Sequence, residues 1–154
     1  MFKNIFIMKR LSILMVCVAT LVMAGCSAMS SAASSNTVAN ASGQACGSAV
    51  QGLYRSYKST GTVDLTNATN FNNALALASA YTNLKQNKDN QAYRKAFTTG
   101  LIASSAGLIT QANASSFVDK MLATAGLGNV NSQNIAQTAS TVAAIVTLLN
   151  ALKQ

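Results

Sequence analysis

The sequence predicts an all-α fold, a compact bundle of four or five helices behind a signal peptide and a flexible tether. Three observations predict it. The chain contains no proline, so nothing in it removes a helical N–H or clashes with the preceding turn. Half of its residues are apolar while only 6% are aromatic, and much of the apolar content is alanine, the best intrinsic helix former. Apolar positions recur at three- and four-residue spacing, and no stretch alternates with the period of a strand.

The first element is a leader. Met1 to Arg10 carries three positive charges, Lys3, Lys9 and Arg10, and Leu11 to Met23 is an apolar run followed by the small residues Ala24 and Gly25. This is the charged, apolar and small-residue order of a secretory signal, and the run falls short of the ~20 residues a comfortable membrane span needs. The boundaries that follow are 1–25 for the signal peptide, 26–43 for a cysteine and tether, and 44–154 for a helical domain.

Leu21-Val22-Met23-Ala24-Gly25-Cys26 resembles the lipobox of bacterial lipoproteins, with Met23 where leucine is usual. The resemblance implies cleavage before Cys26 and acylation of that cysteine, palmitate included, so the first partner expected is a lipid bilayer. Cys17, preceded by bulky Met15 and Val16, lacks the small residues such a cleavage needs. Ser27 after the cysteine resembles the outer-membrane default of lipoprotein sorting. With the Ser/Asn-rich tether and Ala/Asn-rich helices, the chain resembles the small lipoproteins of Bacteroidota at the level of class. In that group, the lack of acidic residues from Ser27 to Gly43 implies the periplasmic leaflet of the outer membrane. The likeness brings no known activity.

Ser27 to Gly43 is Ser, Ala and Asn with no charge and almost no large apolar residue. Such a segment buries too little surface to offset the entropy of ordering it and reads as a tether. In the first helix, from Gln44 to Lys58, Cys46, Val50, Leu53 and Tyr57 lie on one face. Gly61 and Asp64 break it. A second helix, capped by Thr66 or Asn67, runs to about Gln86, with Phe71, Leu75, Ala78 and Tyr81 on one face and Leu77 and Leu84 beside it.

After the polar turn Asn87 to Asn90, Asp89 or Asn90 caps a third helix that continues to about Gln111, with Tyr93, Phe97, Leu101, Ser104 and Leu108 as its stripe. Gly100, Ala103, Ser104 and Gly107 allow a neighbouring backbone to come close. With Arg94 and Lys95 on the same helix, a tight crossing within the domain is favoured over a membrane dimer. A fourth helix, about Ala114 to Ala125, turns Phe117, Met121 and Leu122 inward and ends at Gly126 and Gly128. The fifth, about Ser132 to Leu152, carries Ile135, Ala139, Val142, Val146, Leu149 and Leu152. Its Val142 to Leu149 run is too short for a span and is expected in the core.

The formal charge of +8 falls when the leader and its three cations are removed. Eight basic residues then face three acidic ones, leaving +5. That is too little, and too dispersed, for the dense basic stripe of a nucleic-acid binder, so no nucleic-acid partner is expected. Lys85, Lys88, Arg94 and Lys95 cluster about one turn with Asp89 as the opposing charge. They read either as a solvated corner or as a contact for anionic headgroups or another envelope component.

Catalysis is not expected. The chain has no histidine and no glutamate, and Asp64, Asp89 and Asp119 are scattered over separate turns and helices, so neither a tuned base nor a carboxylate pair is in view. Metal sites of the His/Cys kind and phosphate-cradling glycine motifs are missing as well, so no cofactor is expected. Once Cys26 is acylated, Cys46 is the remaining thiol. It reads as a small buried hydrophobe, with an intermolecular disulfide as the alternative. The function expected is a membrane-anchored lipoprotein whose helical domain binds or scaffolds. A membrane-active protein of the lysis or toxin type is the alternative, suggested by the low charge and the apolar final helix.

Overall fold

The computed structural model describes residues 36–129 and 138–153, so Cys26, the leader and Ile135 lie outside the described residues. The described fold is all-α, as expected, and consists of five α-helices. They are α1 (Asn36–Thr60), α2 (Ala68–Gln86), α3 (Gln91–Ser104), α4 (Ala114–Ala123) and α5 (Thr138–Asn150). A 3-10 turn, Ala125–Asn129, follows α4, and another, Ala151–Lys153, follows α5.

The first helix reaches into the segment the sequence assigns to the tether. Residues 36–43, expected within it, form the first two turns of α1, and Ala39, Ser42 and Gly43 are buried there. The reason is the crossing of α1 and α3, the most extensive helix pairing in the fold. A Cβ added to Gly43 would collide with the carbonyl of Phe97, one on Gly47 with that of Leu101, and one on Gly100 with that of Asn40. Small residues that look like linker by composition are what lets these two backbones touch. Ser104 Oγ donates to Gln44 O at 2.7 Å and Asn40 Nδ2 to Ala96 O at 3.4 Å, across the same seam. The expected tight crossing therefore exists, through Gly100 and Ser104; Ala103 is exposed and Gly107 is not helical.

These contacts fix direction. Asn40 meets Ala96 and Gln44 meets Ser104, so α1 and α3 advance together and run parallel. On another side of α1, Ser56 accepts from Asn70 Nδ2 at 2.9 Å and Gly52 abuts Asn73, so α2 runs antiparallel to α1. The turn between α2 and α3 is thereby returned to the end of the bundle where α1 begins.

The ends of the helices have local causes. Asn67 caps α2, its side chain accepting from the N–H groups of Thr69 and Asn70 at 2.9 and 3.2 Å. Asn90, rather than Asp89, caps α3 by accepting from Tyr93 N at 3.0 Å. α3 stops at Ser104 instead of continuing to about Gln111. Buried Ser105 accepts from Ile109 N and donates to Ile109 O, and Ala106 and Gly107 take positive φ of 51° and 82°. Leu108 thus leaves the helical stripe.

Cys46, Val50 and Leu53 of α1 and Tyr93, Phe97 and Leu101 of α3 are buried as the spacing predicts, with Tyr57 half-buried. α4 contributes Phe117, Val118 and Met121, while Leu122 is only partly covered. Two faces differ from expectation. In α2 the buried residues are Asn70, Ala74, Leu77, Ala78, Ala80, Tyr81 and Leu84, whereas Phe71 and Leu75 are half-exposed. In α5 the buried set is Thr141, Ala144, Ile145, Leu148 and Leu149, whereas Ala139 is exposed and Val142 and Val146 are half-buried. The Val142 to Leu149 segment is a core helix, and no helix among the described residues is long and apolar enough to cross a membrane.

Candidate functional site

The four basic residues singled out in sequence do come together. Lys85 ends α2, Lys88 lies in the turn, and Arg94 and Lys95 are on the first turns of α3, so all four decorate one end of the bundle. Their environments differ. Lys85 Nζ sits 5.6 Å from the centroid of the Tyr81 ring, a cation over an aromatic face. Lys88 pairs with neighbouring Asp89 at 2.8 Å, both groups well exposed, and exposed pairs of this kind hold weakly. Arg94 is anchored more firmly, 2.7 Å from Asp119 on α4 with its side chain 35% exposed. Lys95 is exposed and has no acidic partner among the described residues.

Beside this corner runs an open groove of about 460 Å³ between α3 and α4, with Arg94, Lys95, Thr98, Ile102, Gln111 and Ser115 among its lining residues. A second groove of about 440 Å³ lies toward the other end of α1, lined by Tyr54, Arg55, Lys58 and Leu108 with their neighbours. Sequence reasoning missed this second groove. Arg55 and Lys58 are three apart on the outer side of α1, a signal that was available, but Leu108 reaches them only because α3 ends early.

The groups that could do chemistry are each committed elsewhere. Cys46 is fully buried, its thiol 3.9 Å from the Met121 sulfur, and burial pushes its pKa up to about 12. Asp64 is fully exposed and accepts from both the N–H and the hydroxyl of Thr66, at 2.9 and 2.7 Å, and those bonds hold its carboxyl below the ordinary range. Asp89 and Asp119 are the partners of Lys88 and Arg94. Among the described residues no group of three or more His, Cys, Asp or Glu could hold a metal ion. Asn67 and Asn70, near Asp64 in sequence, act structurally. The first caps α2, and the second donates to Ser56 and to the Asp64 carbonyl, at 2.9 Å each.

One buried polar group stands apart from these. The Tyr93 ring is buried in the core and its hydroxyl makes no well-formed hydrogen bond. Burial raises the phenol pKa, an effect the adjacent Ser42 hydroxyl partly offsets. No groove opens onto it among those described above.

No protein-family model matches the chain, and no curated protein or solved structure shows significant similarity to it.

Proposed function

We propose that this chain is a lipoprotein of a bacterial cell envelope, cut before Cys26 and held to a membrane by acyl groups on that cysteine. Its helical domain binds or scaffolds and does not catalyse. The observation that carries the reading is the run Leu21-Val22-Met23-Ala24-Gly25-Cys26 behind a basic, then apolar, leader. Multiple acyl chains make such an anchor effectively permanent, since each buried methylene contributes ~0.8 kcal/mol. Ser27, and the lack of acidic residues up to Gly43, favour the periplasmic face of the outer membrane.

The non-catalytic part of the reading is supported by how the reactive groups are used. A cysteine nucleophile needs its thiolate and an activating base, whereas Cys46 is buried with its pKa near 12 in a chain without histidine. The three aspartates serve a turn and two ion pairs. Expressing the precursor with labelled palmitate tests the anchor. Label and detergent-phase partitioning are expected to vanish in Cys26→Ser and to persist in Cys17→Ser; equal labelling of wild type and Cys26→Ser overturns the assignment.

A further inference from the structure

We infer that the end of the bundle bearing Lys85, Lys88, Arg94 and Lys95 lies against anionic lipid headgroups when the protein is anchored. The inference rests on the lipid anchor proposed above and adds to it an orientation and a recognised surface. Two independent observations combine. Because α1 is parallel to α3 and antiparallel to α2, the turn between α2 and α3 sits at the end where α1 begins. And because α1 begins at Asn36, only the nine residues from Ser27 to Ser35 separate it from Cys26.

The ten Cα steps from Cys26 to Asn36 span at most about 35 Å even when fully extended. The start of α1, and the basic turn beside it, therefore cannot move far from the bilayer surface. The opposite end of α1 is about 37 Å further along, at 1.5 Å per residue over its 25 residues. Arg55 and Lys58 lie toward that end, about 28 and 33 Å from the start of α1, and reach the membrane only if the bundle lies down or turns over on a tether drawn almost straight, which costs the chain its conformational entropy. Charge alone does not select an end, since cations occur at both; the point of attachment does. A surface potential from anionic lipid decays within a Debye length of roughly 8–10 Å, so the tether brings the corner to the surface without straining and the attraction of its cations to the headgroups holds it there.

The corner is chemically suited to phosphate. Lys85 and Lys95 have no acidic partner among the described residues, and the Lys88 to Asp89 pair is exposed enough for Lys88 to exchange its carboxylate for a lipid phosphate. Arg94 is retained by Asp119 and holds the base of the corner in place. The flanking groove, with Thr98 and Gln111 on its wall, offers uncharged hydrogen-bonding groups beside these cations.

The test uses the processed, acylated protein reconstituted into phosphatidylcholine vesicles with or without phosphatidylglycerol. A fluorophore is placed on Lys88→Cys or, separately, on Lys58→Cys. Buried Cys46 is protected from the label. A nitroxide carried on the lipid headgroup is expected to quench position 88 several-fold more than position 58 on anionic vesicles. The difference should shrink on zwitterionic vesicles, in high salt, and in Lys85→Gln/Lys95→Gln, all without loss of vesicle flotation. Flotation with equal quenching at the two positions, or stronger quenching at 58, overturns the orientation while leaving the anchor intact. Failure of the protein to float with vesicles of either composition overturns the anchor, and the orientation with it.

Discussion

Gly100 and Gly43 occupy the places where α3 and α1 come closest, and what opposes each is a backbone carbonyl, of Asn40 and Phe97 respectively. A carbonyl within a helix cannot swing aside, so a methyl group at either position must separate the helices. Overpacking of this kind costs typically 1–3 kcal/mol, more than the ~1 kcal/mol that Gly→Ala gains in helix propensity. We expect Gly100→Ala to lower the urea midpoint at unchanged slope. Gly52→Ala is the internal contrast, because its neighbour is the flexible amide of Asn73, which can rotate away. That variant should be close to neutral or slightly stabilised, and equal losses in the two would show that the α1 to α3 seam is not tight.

The buried Cys46 thiol couples the stability of the fold to alkaline pH. Burial raises its folded pKa from 9.0 to about 12, so the protonated thiol belongs to the native state. Above pH 9 the unfolded chain releases this proton and the folded one keeps it. The contribution is therefore intact below pH 9 and is lost as pH rises from 9 towards 12, at no more than about 1.4 kcal/mol per pH unit. Cys46→Ala, which should cost about 1 kcal/mol at neutral pH, is expected to flatten this alkaline decline relative to wild type. The wild-type thiol should resist alkylation until denaturant is added. A parallel decline in both proteins, or prompt alkylation of native protein, would contradict the burial of Cys46.

At the scale of elements, the caps are the simplest parts to test. Asn67 supplies two hydrogen bonds to the first turn of α2, and Asn67→Ala is expected to cost about 1 kcal/mol in thermal or urea unfolding. Substitution of Thr66, the other candidate cap, should cost less, since its side chain donates to Asp64 instead. Both caps were narrowed in sequence to two neighbours each, and the faces of α1 and α3 were readable because Cys46, Val50 and Leu53, and Tyr93, Phe97 and Leu101, are larger than what surrounds them. The face of α2 was not, because it is alanine-rich all round. Its burial follows Ala74 and Asn70, small groups that fit under α1, and leaves Phe71 and Leu75 at the edge. α5 is apolar on most sides, so spacing could not fix its phase. The start of α1 was hidden for the reason that makes it function: Asn40, Ser42 and Gly43 have a linker's composition and a close crossing's size. The basic corner was legible as a cluster, but its place beside the start of α1 depends on helix directions that no local pattern encodes.

At the scale of the whole molecule, the question left by composition is whether the domain stays folded at a membrane or inserts into it. Insertion would have to draw on α5, the most apolar helix among the described residues, and α5 is held by its packing. Ile145, Leu148 and Leu149 are fully or almost fully buried, Gly126 abuts Ala144, and Tyr57 Oη donates to Asn150 Oδ1 at 3.0 Å. Removing three large aliphatic side chains from the core costs roughly 1.5–3 kcal/mol each, a sum comparable to the 5–15 kcal/mol that stabilises a typical domain. α5 therefore cannot leave without unfolding much of the bundle, and its 13 described residues are fewer than the ~20 of a bilayer span. We expect the unlipidated domain to release no dye from anionic vesicles under native conditions. Any leakage should appear only as urea populates the unfolded chain, following the unfolding curve measured by circular dichroism. Leakage by fully folded protein, well below the unfolding midpoint, would mean that a surface of the intact bundle disrupts lipid and would replace the scaffold reading with a membrane-active one.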